Sequence, residues 1–201
     1  MKRLEATAVG DAAALLLAGD LVAFPTDTVY GVGACLSRPD AVGRLFVAKN
    51  RPESTALPVM VANDDQLSTL LGALSPTIVR LSERFWPGPL TVVTPCSPEL
   101  AALVGSTSGT LGVRIPNDGT AQALLAITGP LAVTSANQHS KAPSTTADEV
   151  ILAFEGSGMV SAVLDDGVRN AKPSTVVAVL EGALVELRSG PLSLQSLTQA
   201  L

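Results

Sequence analysis

Residues 11–31, DAAALLLAGDLVAFPTDTVYG, decide the architecture. Asp11–Ala18 reads as a helix stopped by Gly19, because glycine adopts a left-handed cap at no steric cost. Leu21–Phe24 is an apolar run of strand length, and Pro25 ends it. The segment Pro25-Thr26-Asp27-Thr28-Val29-Tyr30-Gly31 then puts three hydrogen-bonding side chains and a tyrosine into one loop. Open α/β sheets take ligands at such strand ends. An ordinary Thr/Asp turn is the other reading of the segment.

The alternation continues outward. Pro39–Lys49 is helical, with Ala41, Leu45 and Ala48 on one face, and Pro58–Val61 is a short strand. Asp64 caps a helix through Leu74, and Ser75-Pro76 opens another ending near Trp86. Leu90–Thr94 is a strand, and Ser97-Pro98-Glu99 opens a short helix. Leu111–Ile115 is a strand, Asp118 caps a helix to Ile127, and Leu131–Thr134 is a buried strand. Thr146 and Glu149 have capping-box spacing and open a helix to Phe154. Strands occupy Val160–Leu164, Thr175–Leu180 and Leu184–Leu187, with a closing helix. Gly31-Val32-Gly33 reads as a tight strand-to-loop turn. The pattern predicts one α/β domain over residues 1–201, built on a mixed sheet because the late strands have little chain between them.

Composition removes several function classes. The chain has 201 residues, 13 Lys+Arg, 18 Asp+Glu and one His, a formal net charge of −5. Hydrophobic residues at 47 % exclude disorder, and the acidic total argues against a broad nucleic-acid-binding surface. No apolar run reaches the ~18 residues of a membrane span. Glu5 and Asp11 break up the stretch after Lys2-Arg3, so it does not read as a signal peptide and the cytoplasm is the expected location. Cys35 and Cys96 form no CxxC pair and read as buried free thiols. The single His139 excludes a multi-His zinc site and reads as a loop residue near a site. GxxxxGK[ST], GxGxxG and GxSxG are all absent.

What remains is a set of polar residues in an apolar chain. Lys49-Asn50-Arg51-Pro52 ends a helix, and two readings stand: cations at the negative end of the helix dipole, or a phosphate clamp. Arg114 points away from the face of Val113 and Ile115, so it needs an anionic partner, either a ligand carboxylate or a structural Asp. Thr134-Ser135-Ala136-Asn137, Pro173-Ser174-Thr175 and Leu187-Arg188-Ser189-Gly190 add small polar groups at further strand ends. Trp86–Thr91 reads as architecture, a rigid turn before a strand.

FPTDTVYGVG, KNRP, WPGPLTVV, VRIPN, TSAN, PSTVV and LRSG occur in this order across residues 24–190. In this the chain resembles the YrdC-type threonylcarbamoyl-AMP synthase family, in its short, single-domain form. The resemblance implies a twisted, open sheet with a concave, positively charged face. It implies condensation of L-threonine, bicarbonate and ATP to threonylcarbamoyl-AMP and pyrophosphate, the first step of threonylcarbamoyladenosine modification of tRNA. The family's KxR…SxN signature falls on Lys49, Arg51, Ser135 and Asn137, the implied catalytic set. Thr28, Arg114, Ser135 and Ser174 would contact threonine. Lys49, Arg51, Thr55, Thr110, Asn137, Thr145 and Arg188 would line the ATP, with Lys49 facing the phosphates. Mg2+ would accompany ATP without dedicated protein ligands. Thr55 stands where many members carry Asn, His or Lys, and Met60 where some carry His. A downstream threonylcarbamoyl transferase complex is the implied partner, with tRNA reached indirectly or weakly. Two alternatives stand beside this: a double-stranded RNA-binding module without catalysis, and carbamoyl-AMP chemistry on another acceptor.

Overall fold

A computed structural model of the chain describes residues 1–50, 55–138, 141–170, 172–180 and 183–201. Its strands are β1 (Lys2–Glu5), β2 (Leu21–Phe24), β3 (Gly31–Cys35), β4 (Val59–Met60), β5 (Leu90–Pro95), β6 (Thr110–Arg114), β7 (Leu131–Ser135), β8 (Val160–Asp165), β9 (Thr175–Leu180) and β10 (Ala183–Arg188). The helices are α1 (Val9–Ala18), α2 (Pro39–Ala48), α3 (Asp64–Leu71), α4 (Pro76–Phe85), α5 (Pro98–Leu103), α6 (Gly119–Thr128), α7 (Ala147–Ala153) and α8 (Leu194–Thr198).

Among the described residues the strands form one sheet in the order β1-β8-β2-β3-β7-β4-β6-β5-β9-β10. β1/β8, β2/β8, β4/β6 and β5/β9 run parallel; the other five neighbouring pairs run antiparallel. The sheet is mixed, as its sequence pattern predicts, and open, because β1 and β10 end it at opposite edges. Helix starts obey local chemistry. Ser75, Ser97, Asp118, Thr146 and Ser193 each accept the backbone N–H three residues on, satisfying a donor the helix itself leaves orphaned.

The sheet's two faces are covered unequally. One face carries Leu21, Val32, Leu90, Val92, Leu111, Val113 and Val177, and residues of α2, α3, α4, α7 and α8 close over it. The other carries Val22, Phe24, Leu131, Val133, Ala162 and Leu164 beneath α1 and α6 only. That second layer stops at β7, and the site lies on the bare half of the face.

Three local expectations are corrected, and one strand is unforeseen. Gly31–Cys35 is a fully buried strand rather than a turn. Its glycines are steric: a Cβ on Gly31 would lie 2.9 Å from Val133 Cγ1, and one on Gly33 would lie 3.0 Å from Phe24 Cε1. Lys2–Glu5 forms an edge strand in which only Leu4 is buried, too short to show a period. The helix at 64 is capped by Asn63, not Asp64, and stops at Leu71 because Gly72 takes φ +70°. Cys35 is buried, but Cys96 is only half-buried. Among the described residues no helix is long and apolar enough to cross a membrane.

Two glycines separate crowding from propensity. A Cβ on Gly190 would meet Thr175 N at 2.3 Å and Pro173 O at 2.6 Å, whereas one on Gly43, exposed in α2, would meet nothing within 4 Å. Gly190→Ala is therefore expected to destabilise by about 1–3 kcal/mol through overpacking. Gly43→Ala is expected to stabilise by about 0.5–1 kcal/mol. Urea unfolding of both variants checks the opposite signs.

Candidate active site

The bare half of the sheet forms a cleft with a cavity of about 300 Å³. Strand alternation builds it. In β5, Leu90 and Val92 enter the core, so Thr91 and Val93 face the cleft; in β6, Leu111 and Val113 enter the core, so Thr110, Gly112 and Arg114 face it. Gly31, Met60, Val133, Ser135, Ser174, Val176 and Arg188 complete this wall, and Thr26–Tyr30 closes one end. The cleft-facing residues are mostly small, which leaves the space. Among the described wall residues Arg114 and Arg188 are the charged ones, so the concave face is positive inside an acidic protein.

Arg114 finds one of the two partners the sequence leaves open, a structural Asp. Its side chain is 4 % exposed, and Nη2 donates to Asp27 Oδ1 at 2.5 Å. Nε donates to Gly88 O at 2.9 Å and Nη1 to Thr28 Oγ1 at 3.1 Å. Burial lowers the Arg114 pKa, and the Asp27 carboxylate works against that shift. The structural partner is therefore Asp27, which also accepts Asn117 N at 3.1 Å. Each terminal nitrogen carries a second N–H besides, so the guanidinium can also serve a ligand at the wall. Proton bookkeeping orients the adjacent hydroxyls. Thr26 Oγ1 must donate to Val29 O, 2.7 Å away, so Thr28 Oγ1 donates to Thr26 Oγ1, 2.9 Å away, and accepts from Arg114.

The opposite end is built by a β-bulge. Along β10, Glu186 lies opposite Val177, but Arg188 lies opposite Val176. Leu187 is the extra residue. In a regular ladder Arg188, two residues after Glu186, would fall opposite Thr175 on the core side; the bulge shifts it to the cleft side with Val176. Re-aiming a side chain is a common use of bulges. Arg188 then donates to Ser174 O through Nε (3.1 Å) and Nη2 (2.9 Å), and to Ser174 Oγ at 3.0 Å. Ser174 Oγ is 2.8 Å from Thr91 Oγ1.

The remaining predicted residues divide. Ser135 stands in the wall, and so does Thr110, whose Oγ1 is 2.7 Å from Ser108 Oγ. Lys49 is 2 % exposed. Its Nζ donates to Ser135 O at 2.6 Å, to Asn137 O, and to Asn137 Oδ1 at 3.2 Å. Lys49 thus bonds to the 135–137 segment, because an ammonium buried at the end of α2 seeks those oxygens. Asn137 Nδ2 in turn donates to Gln138 O and Lys141 O at 2.8 and 2.7 Å, so this pair holds the segment after β7. Thr145 lies outside the wall: its N and Oγ1 donate to Glu149 Oε2 at 2.6 and 3.0 Å. Those bonds hold the Glu149 carboxyl below the usual carboxylate range. The capping box is thus offset, since Thr146 accepts Glu149 N while Glu149 returns to Thr145. Thr55 is exposed, next to the wall residue Ala56. Arg51 and His139 lie outside the described residues.

Gly88 and Thr91 read as architecture in the sequence, yet they contact the site residues Arg114 and Ser174. Tyr30 is legible in the loop but not in its use: Oη donates to Gly167 O at 2.8 Å and accepts Asp166 N at 3.2 Å. Burial raises its pKa.

Removing one member of the Arg114–Asp27 pair leaves the other charge buried alone. Asp27→Asn is expected to destabilise by about 3–5 kcal/mol, and the double variant Asp27→Asn/Arg114→Met to recover most of that loss. Denaturant unfolding of the two variants measures it; a single-variant change under about 0.5 kcal/mol would show the pair to be dispensable.

Comparison with known proteins agrees with this geometry. The Sua5/YciO/YrdC family model, described as telomere recombination, matches residues 14–190. The threonylcarbamoyl-AMP synthase of Bacillus subtilis is 38 % identical over 185 residues, covering 90 % of this chain and 53 % of its own. The crystal structure of Pyrococcus abyssi Sua5 complexed with L-threonine superposes with a TM-score of 0.90 at 35 % identity, covering 100 % of this chain and 59 % of that one. Escherichia coli YciO, at 22 % identity and TM-score 0.83, covers 96 % of both chains and shares the fold. This chain therefore spans between half and three fifths of the length of the Bacillus and Pyrococcus proteins. Sheet order, bare cleft and family match agree: the chain belongs to the Sua5/YciO/YrdC family.

Proposed function

We propose that this chain is an L-threonylcarbamoyladenylate synthase, condensing L-threonine, bicarbonate and ATP to threonylcarbamoyl-AMP and pyrophosphate. The observation that carries the reading is the cleft's polar end: a buried, permanently charged guanidinium flanked by oriented hydroxyls. The similarity to a Pyrococcus protein crystallised with L-threonine supports it.

In this reading the Arg114 fork takes the threonine carboxylate, and Thr28 and Ser135 flank the amine. The amine adds to CO2 from bicarbonate and loses a proton, giving a carbamate. A carbamate oxygen attacks the α-phosphorus of ATP and pyrophosphate leaves. Mg2+ would enter with ATP and neutralise phosphate charge there, without a dedicated set of protein ligands. Ser174 stands beside the threonine and accepts from Arg188, which lies toward the nucleotide with Arg51, Thr110 and Thr55 as further contacts. Lys49, Asn137 and Thr145 hold the segments that border it. Catalysis comes from placement and charge stabilisation rather than from a general base. The product is a reactive mixed anhydride, so a transferase complex acting on tRNA is the proposed recipient, with tRNA itself reached indirectly.

The test is pyrophosphate release with ATP, labelled bicarbonate and single amino acids. Label is expected in an AMP adduct with threonine only. Arg114→Gln and Arg188→Gln are each expected to lose about 10- to 100-fold in rate, since a charge-assisted hydrogen bond contributes about 1.5–3 kcal/mol. Pyrophosphate release indifferent to the amino acid, or RNA binding without any release, would overturn the assignment.

A further inference from the structure

Arg169 has no place in the proposed reaction and belongs to none of the sequence motifs. It nevertheless sits where four segments meet. Nε donates to Thr26 O at 2.9 Å, in the loop that closes the cleft. Nη2 donates to Asp118 Oδ2 at 3.0 Å and to Asp166 Oδ2 at 2.7 Å, and Nη1 to Asp166 O at 2.5 Å. Its backbone N donates to Thr145 O at 2.8 Å. The side chain is 16 % exposed and that of Asp118 is 10 % exposed.

Asp118 gives this arrangement its meaning. Its Oδ1 caps α6 by accepting Ala121 N at 2.9 Å, while Oδ2 takes Arg169. Asp118 lies four residues after Arg114, on the chain leaving β6. Arg169 therefore bonds the start of the Thr26–Tyr30 loop to the exit of the strand that carries Arg114. The Asp27 contacts to Arg114 and to Asn117 N bridge the same two segments from the cleft side. The loop carrying Thr28 is thus tied to β6–α6 at two points, one inside the cleft and one behind it.

We propose that Arg169 is a positioning residue that fixes the distance between Thr28 and Arg114, and so the affinity of the amino-acid end of the cleft. The proposal rests on the reading of that end as the threonine site. The nucleotide contact Arg188 shares none of these bonds. The one link toward Thr145 runs through the Arg169 backbone, which side-chain substitution leaves in place. A distance-setting residue and a merely stabilising one then differ in outcome: the first changes one ligand's affinity, and the second lowers the folded fraction for both ligands equally.

Calorimetric titration in bicarbonate-free buffer separates them, with L-threonine and ATP titrated apart into the wild type, Arg169→Gln, Arg169→Lys and Arg114→Gln. For Arg169→Gln the threonine dissociation constant is expected to rise tenfold or more, with ATP within twofold of wild type. Arg169→Lys, which keeps the charge but not the fork, is expected to fall between. If Arg169→Gln does not fold, Asp118→Asn keeps the α6 cap oxygen, removes the partner charge, and is expected to shift threonine alone. Threonine affinity within twofold of wild type, or an equal loss for both ligands, overturns the proposal. Arg114→Gln reads the underlying assignment separately. If it retains threonine affinity, the site reading fails; if it loses threonine while Arg169→Gln does not, only the positioning role fails.

Discussion

A guanidinium that is 4 % exposed cannot shed its charge, and the cleft is organised around that constraint. Desolvating Arg114 is costly unless its donors meet oxygens. Asp27 supplies the counter-charge, Gly88 a carbonyl, and Thr28 a hydroxyl whose proton is directed onward to Thr26. These partners come from two distant parts of the chain, the loop after β2 and the turn before β5. Satisfying one buried cation therefore assembles the end of the cleft. The same bonds leave it rigid, which favours recognition of a small anion over a broad surface.

The second determinant is what does not cover the sheet. α1 and α6 pack on β8, β2, β3 and β7, and nothing described lies over the same face of β6, β5 and β9. On that half the outward positions are Thr, Gly, Ser and Val with two arginines. A net charge of −5 is thus compatible with an anion site, since both charged wall residues are cations. Charge is local here: the cations of the wall sit within a chain whose total is acidic.

Much of this is legible in the sequence. Alternation in LTVVT and TLGVR marks the strands and puts Arg114 on the face opposite Val113, and Pro, Ser and Asp mark most helix starts. Gly31-Val32-Gly33 misleads because glycine is usually a turn signal, whereas here it admits Val133 and Phe24 against the strand. The aim of Arg188 is hidden too, because a bulge reverses the side on which alternation would put it. Lys49 is legible as a cation, but the carbonyl and amide oxygens it meets are not, since they lie 86 and 88 residues away. Arg169 carries no local signal, because its partners are spread from Thr26 to Asp166.

The central claim is that the Arg114 end of the cleft recognises the carboxylate of an amino acid. Its most direct test is a side-by-side titration of the folded wild-type chain with L-threonine and with L-threoninamide, in which only the carboxylate is replaced by a neutral amide. The account predicts saturable binding of L-threonine and at least tenfold weaker binding of the amide. Equal affinity for the two would contradict it, whatever the chain's catalytic activity.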